Sequence, residues 1–468
     1  MFFKSQLTKN ATVFLPLILL TGVLCLLLVV FLQIGSLSFL IVAILVLLVV
    51  FYRNPMLPVY TYLIATPFDQ YSLFGLSTTL NFSIADLMAI SMLIGCILRP
   101  RILFAVPLWY ALGVFGVLIG ATIGTSLSDS YQSLLQLRAT AGKIVASYLV
   151  TAYIFEYKQL SKAIWVFGIG IFASIGLGII QEIVWVIGGR NWTLLLLFTP
   201  PNSIIAFSKV FGDMLLRVPG GTIHPIILGQ LSAFIFGMFI IKIFLKKGKL
   251  TYNILAIGFC ILGIFIAESR AALVGMFSSL LIVFFAYSRG KRNAMVLSGI
   301  LCMVLAPIFI ASFLFFSQYG AGDRMKAFGE ITTFSSKFFL GMGVGRFLDL
   351  NPSSISLHST PLQILSDAGL LAIISYLLLL LMIFIRLWKR RNKSSFFFEM
   401  LCGGTAYLVP ALFFHPCFPM RDHWVILGLL TVASCGSMSW VIRQDSPNAQ
   451  STDLSLKNCD VVLHNGKI

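Results

Sequence analysis

Long apolar runs separated by short polar breaks recur along the whole chain, and this repeat limits the fold more than any single motif. A run of about 17–25 apolar residues, wound as an α-helix, matches the hydrocarbon thickness of a bilayer. Segments read this way cover residues 11–32, 36–52, 57–67, 83–98, 102–123, 142–157, 163–186, 225–244, 250–268, 271–287, 294–316, 367–387, 396–414 and 424–442. The piece 57–67 is short and interrupted by Pro55, Pro58 and Pro67, which makes it a candidate re-entrant segment. In lipid every backbone N–H and C=O needs an internal partner, so such runs are helices. The expected fold class is therefore all-α: a polytopic transmembrane helix bundle of about 12–14 spans.

Composition agrees, because 59% of the 468 residues are hydrophobic and only 10% charged, with a mean hydropathy of +0.97. No soluble core hides that much apolar surface. The net charge of +17 would suggest nucleic acid in a soluble protein. Here the basic residues sit in short runs between apolar stretches, where they carry orientation, so no nucleic-acid partner is expected. The eight cysteines form no CxxC pair and no His-spaced pattern, which argues against a disulfide framework or a zinc site. Lys4 and Lys9 precede an apolar stretch without a small-residue cleavage pattern, so a retained first helix is expected.

Arg53, Arg99 with Arg101, Lys158 with Lys162, Lys246-Lys247-Gly248-Lys249, Arg289-Lys291-Arg292 and the cluster from Lys389 to Lys393 all fall on one side when the spans alternate. By the positive-inside bias that side is the cytoplasm, which places both termini there and the protein in a bacterial inner membrane. Three regions follow: N-terminal transmembrane helices over 1–186, a core over 187–442, and a polar, disordered cytoplasmic tail over 443–468. Two connections on the outer face, 187–224 and 317–366, are long, and long loops in compact proteins carry function or are disordered.

The outer face is enriched in arginine, against the bias: Arg138, Arg190, Arg217, Arg270, Arg324, Arg346 and Arg421. A guanidinium binds phosphate bidentately and keeps its charge, so a group of them suits a phosphate-bearing lipid headgroup. The bland alternative is contact with anionic lipids or pairing with Asp213, Asp323, Glu330 or Asp422. Arg270 lies at the seam of two apolar spans, where an unpaired cation is expensive, with Glu268 two residues away as the alternative structural partner. Of the outer-boundary histidines, His415 and His423 read as interfacial hydrogen-bonders and His224, before Pro225, as a helix-entry residue. His358 ends the longest outer loop and is the better candidate for proton exchange. The stretch Gly341-Met-Gly-Val-Gly-Arg-Phe upstream is read as flexible backbone with free amides able to approach an anion.

Three segments together resemble the O-antigen ligase and polymerase family, the integral-membrane glycosyltransferases that use undecaprenyl-diphosphate-linked glycans. They are Arg217-Val-Pro-Gly-Gly-Thr-Ile-His-Pro, Glu268-Ser-Arg-Ala-Ala-Leu, and the glycine stretch at 341–347 followed by Leu357-His-Ser-Thr-Pro-Leu-Gln-Ile-Leu-Ser-Asp-Ala-Gly-Leu-Leu. The resemblance covers about residues 210–390; the helix entry Ala368-Gly-Leu-Leu-Ala lacks a second glycine common in the family, and fourteen spans exceed the twelve of a ligase. The resemblance implies that Arg217 and Arg270 hold a donor diphosphate and that His358 assists transfer, as a base or as a diphosphate binder. Arg346, His224 and Glu268 are further substrate-binding candidates. It implies an inverting, metal-independent transfer from a polyprenyl-diphosphate-linked oligosaccharide to an acceptor glycan, with no cofactor. Membrane lipids and polysaccharide-assembly proteins are the other partners implied. A polymerase is favoured over a ligase by the extra spans; a lipid-linked-sugar flippase or transporter and a scaffold subunit without chemistry are the competing classes.

Overall fold

The computed structural model describes residues 53–68, 72–75, 81–128, 130–188, 195, 199, 206–210, 213–287, 339–346, 359–413 and 417–436. The chain divides between Pro55 and Met56 into two units, and the helices below belong to the second. The spans expected at 11–32, 36–52 and 294–316, and most of the second outer loop, lie outside the described residues.

Eleven α-helices are described: α1 Leu57–Ala65, α2 Ile84–Leu98, α3 Leu108–Ser126, α4 Tyr131–Tyr157, α5 Leu160–Ile187, α6 Pro225–Phe244, α7 Leu250–Ile266, α8 Arg270–Tyr287, α9 Thr360–Arg390, α10 Ser395–Phe413 and α11 Arg421–Cys435. Five of them, α3, α5, α6, α9 and α10, are long and apolar enough to cross a membrane. Every span expected between 57 and 442, other than 294–316, overlaps one of these helices, although the end of the last, 437–442, lies outside the described residues. Two antiparallel hairpins lie between them: β1 Ser72–Gly75 with β2 Asn81–Ser83, and β3 Ala206–Val210 with β4 Asp213–Arg217.

The ends obey local chemistry. Ser83 and Asp86 form a reciprocal capping box at the start of α2. Ser130 accepts from the Ser133 amide and starts α4 well before the apolar run at 142, because the first turns carry polar residues that periodicity in hydropathy does not register. Segment 57–67 is a nine-residue helix followed by a 3-10 turn at Thr66–Phe68 and runs along α5, with the backbone of Ile64 against Gly170.

Small residues set the helix contacts. Gly113, Gly116, Gly120 and Gly124 form a stripe on α3 that lies against Leu379, Ser375, Ala372 and the backbone of Asp367 and Ala368 on α9. Without a hydrophobic drive between helices in lipid, close backbone approach supplies the attraction. Gly237 of α6 meets Cys402 and Gly403 of α10 in the same way. In the glycine-rich α5, Gly170 and Gly178 are packing contacts, while a methyl group at Gly176 would meet no described atom within 4 Å.

The two ends of the bundle differ. At one end Tyr60 bonds Gln159, Arg99 donates to the Tyr157 hydroxyl at 2.8 Å, Arg101 pairs with Glu156 at 3.1 Å, Lys242 with Glu399 at 3.6 Å, and Arg390 donates to the Gly436 carbonyl at 2.6 Å. This basic end gathers the N-termini of α1, α3, α5, α7 and α10 and the C-termini of α2, α4, α6, α8, α9 and α11. The opposite end collects the other termini, and with them Arg217, His224, Glu268, Arg270, Arg346 and Arg421.

Candidate functional site

The segment that follows β4 turns into the bundle rather than over it. The Val218 amide donates to the Ile266 carbonyl at 3.2 Å, and Leu216 and Val218 pack with Trp185 and Leu195. Pro219, Gly220, Gly221 and Thr222 are all buried. Irregular backbone at this depth is tolerated only when its polar groups are satisfied by protein. Gln181 of α5, fully buried, does this with both ends of its amide: Nε2 donates to the Gly220 carbonyl and Oε1 accepts from the Gly220 amide, each at 2.9 Å. The Gly221 amide donates to Ser174 Oγ at 2.9 Å. Gly220 has φ +59°, and a side chain there would run into the Ser174 carbonyl, so the Pro-Gly-Gly sequence is a requirement of this inward turn. The segment ends at His224, whose Nδ1 accepts from the Ile226 amide at 3.1 Å and caps α6. His224 is thus the helix-entry residue expected.

Beside it stands the turn between α7 and α8. Glu268 occupies the left-handed region at φ 43°, an uncommon place for a residue with a side chain, and such outliers collect at functional positions. Ser269 is buried and accepts from the Ala272 amide at 3.3 Å. Arg270, expected at the seam of two apolar runs, is the first residue of α8 and its side chain is exposed rather than packed inside the bundle. A cation at a helix N-terminus opposes the helix dipole, whereas an anion there meets both the dipole and the guanidinium.

Arg217 and Arg270 both lie within electrostatic reach of Glu268. Arg217 Nε donates to the Ala267 carbonyl at 3.4 Å, and both arginines act electrostatically on the Glu268 carboxylate. Burial pushes the Glu268 carboxyl above the ordinary carboxylate range, and the two arginines draw it back. Burial likewise lowers Arg217, opposed by Glu268, and a guanidinium in this setting stays charged. Glu182, one residue beyond Gln181, lies within electrostatic reach of Glu268.

Arg346 belongs to a different part of this end, in the glycine turn at 341–346. The central amides of that turn are not free to approach an anion, which corrects the expectation for them. The Met342 and Gly343 amides donate to the Ser366 and Asp367 carbonyls at 2.7 and 3.2 Å, the Val344 amide donates to Thr125 Oγ1 at 3.3 Å, and the Gly345 amide bonds the Asp367 carboxylate. The glycines seat the turn on α3 and on a break in α9 at Gly369, where φ is 79°. The amides from Met342 to Gly345 are used in holding helices together.

Arg421 and Asp422, expected in an outer loop, are instead buried in the first turn of α11, and His423, expected as a hydrogen-bonder, is buried beside them. Arg421 Nη1 donates to Ser83 Oγ at 3.2 Å and Nη2 pairs with Asp86. Asp422 accepts from the Tyr407 hydroxyl at 3.1 Å, and His423 Nε2 shares a 3.1 Å hydrogen bond with the Tyr376 hydroxyl. The apolar run begins only at Trp424 and so leaves these residues outside it; the tyrosines that receive them lie within apolar spans and give no signal of their own. A small pocket nearby is lined by Thr66, Lys143, Thr222, Ile223, Arg421 and Asp422.

The structure thus brings Arg217, Glu268 and Arg270 together, gives His224 a capping role, and sets Arg346 on the glycine turn. His358 and His415 lie outside the described residues. No group of three metal-ligating side chains occurs among the described residues. The class defined is an all-α protein with helices able to cross a membrane, one end of which carries a mixed arginine and glutamate cluster. Neither a family model nor a curated protein matches the chain.

Proposed function

We propose that the chain is a glycan polymerase of the outer face of the bacterial inner membrane, transferring a saccharide from a polyprenyl-diphosphate donor to an acceptor sugar hydroxyl. The observation that carries this reading is that Arg217 and Arg270 both lie within electrostatic reach of one carboxylate at the end of the bundle opposite the basic end. By the positive-inside bias the basic end faces the cytoplasm, and the arginines then face outward. Nucleotide sugars and ATP are absent there, so the reaction energy must reside in the substrate, as it does in a glycosyl diphosphate.

In this reading the two guanidiniums bind the diphosphate through charge-assisted hydrogen bonds and neutralise the charge that grows as it leaves. Glu268 holds the arginines apart and oriented before the donor arrives. His358 enters from its resemblance to the family histidine, assisting transfer. The acceptor hydroxyl attacks the anomeric carbon from the face opposite the diphosphate, giving inversion without a metal.

The test is to incubate purified protein with the lipid-diphosphate-linked oligosaccharide of the source strain, with and without a lipid acceptor, and resolve products by size. A ladder from donor alone supports the polymerase, and transfer only with acceptor makes the protein a ligase. Intact donor together with labelled lipid crossing liposome bilayers would replace both by a transporter. Wild-type product from Arg217→Ala, Arg270→Ala and His358→Ala alike would remove the site assignment.

A further inference from the structure

We infer that Glu182 is a catalytic residue of this site, the group that accepts the proton of the attacking acceptor hydroxyl; the inference rests on the transferase reading above.

The direction of Glu182 follows from its neighbours on α5. Gln181 and Trp185 face the 216–220 segment, the first through two hydrogen bonds to Gly220 and the second by packing with Leu216 and Val218. Gly178, one turn before Glu182, abuts the side chains of Ile266, Leu228 and Val218. Residues four apart share a helix face, so Glu182 stands one turn further along the face that meets the end of α7. The chain beyond Ile266 is Ala267 and Glu268, the turn on which the Arg217 guanidinium rests. The electrostatic interaction between Glu182 and Glu268 agrees with this placement.

Two carboxylates and two arginines therefore meet here, and their roles separate by partner. Glu268 faces both Arg217 and Arg270 and is their counter-ion. Glu182 Oε2 is enclosed and has no hydrogen-bond partner among the described residues. A buried carboxylate oxygen left without a donor is costly in a finished protein, and an acceptor hydroxyl supplies the missing donor. A base belongs within hydrogen-bond reach of the hydroxyl it serves, beside the groups that hold the leaving group. Gln181, locked to Gly220, fixes the helix turn that carries Glu182 and the strand end that carries Arg217 as one piece.

The step balances with these groups. The hydroxyl proton passes to Glu182 Oε2, and the oxygen's electron pair forms the bond to the anomeric carbon. The bond from that carbon to the diphosphate oxygen breaks, its electron pair leaving with the polyprenyl diphosphate between Arg217 and Arg270. Glu182 then returns its proton to solvent.

The experiment measures donor consumption and product by the purified full chain, and binding of farnesyl diphosphate as a stable probe of the arginine site. Glu182→Gln is expected to slow transfer by about 100-fold or more while binding farnesyl diphosphate within about threefold of wild type, the range for loss of general-base help. Glu182→Ala should regain part of its rate when sodium formate is added, which a purely structural role would not produce. Arg217→Ala should instead lose the probe. Full-rate transfer by Glu182→Gln, or parallel loss of probe binding with no formate rescue, would overturn the assignment while leaving the transferase intact. A wild-type protein that consumes no donor would overturn both.

Discussion

Arg421 Nη2 pairs with Asp86 Oδ1, joining the first turn of α11 to the first turn of α2 across 335 residues of sequence. The two partners are unequally placed, since the arginine side chain is 2% exposed and the aspartate 35%. Removing the aspartate charge takes the carboxylate away from a buried cation, while removing the arginine leaves a carboxylate that water reaches. Asp86→Asn should therefore destabilise more than Arg421→Met, by up to about 3–5 kcal/mol. An asparagine also accepts hydrogen bonds at a helix start, so the substitution spares most of the capping and isolates the charge effect. Melting of the detergent-solubilised variants measures the order, and the reverse order would show that the pair does not support the fold.

Gln181→Leu keeps the approximate volume of the side chain and removes both bonds to Gly220. The Gly220 amide and carbonyl are then left buried without partners, at about 1–3 kcal/mol for each group. A lowered melting temperature is expected, together with weaker binding of farnesyl diphosphate, because the strand end bearing Arg217 is released.

A methyl group separates the glycines that matter from those that do not. At Gly369 φ is 79° and a Cβ would lie 2.6 Å from the Leu340 carbonyl carbon, so Gly369→Ala should sharply reduce folded protein in membranes. At Gly258, in α7, a Cβ meets no described atom within 4 Å. Gly258→Ala should leave stability unchanged or raise it, by at most about 1 kcal/mol. Fluorescence-detected size exclusion of the two variants reads both outcomes.

The Glu268 carboxyl is held above the ordinary carboxylate range, mainly by burial. Its ionisation therefore costs more in the folded than in the unfolded protein. The stability tied to its protonated form is complete below the unfolded value and is lost as pH rises through the folded one. Upward from about pH 4, the ordinary glutamate value, the melting temperature of wild type should fall relative to that of Glu268→Gln, which cannot ionise. Parallel curves for the two proteins would show that the site does not perturb this group.

Much of the bundle is legible in the sequence because lipid enforces helices and apolar runs mark them. The start of α4 at Tyr131 is not, since Gln132, Gln136 and Arg138 extend the helix beyond the apolar part. Nor is the inward turn at 218–222, whose polar demands are met by Gln181 and Ser174, polar residues inside an apolar run 39 and 47 positions upstream of the glycines they bond. The proximity of Arg217, Glu268 and Arg270 is not readable locally either, because no local pattern joins β4 to the α7–α8 turn. The glycine turn misleads for a physical reason: glycines that allow an approach to an anion equally allow an approach to another helix, and here Asp367 and Thr125 take the amides.

The bond between Asp86 and Arg421 also orders the making of the protein. Ribosomes deliver Asp86 early and Arg421 far later in synthesis, so α2 must wait in the membrane with an acid that has yet to meet its base. The glycine turn imposes a similar delay, since Val344 reaches back 219 residues to Thr125. The end of the bundle that carries the arginine cluster is therefore completed only when α11 inserts, and a chain truncated before that point has the scaffold without its keystone.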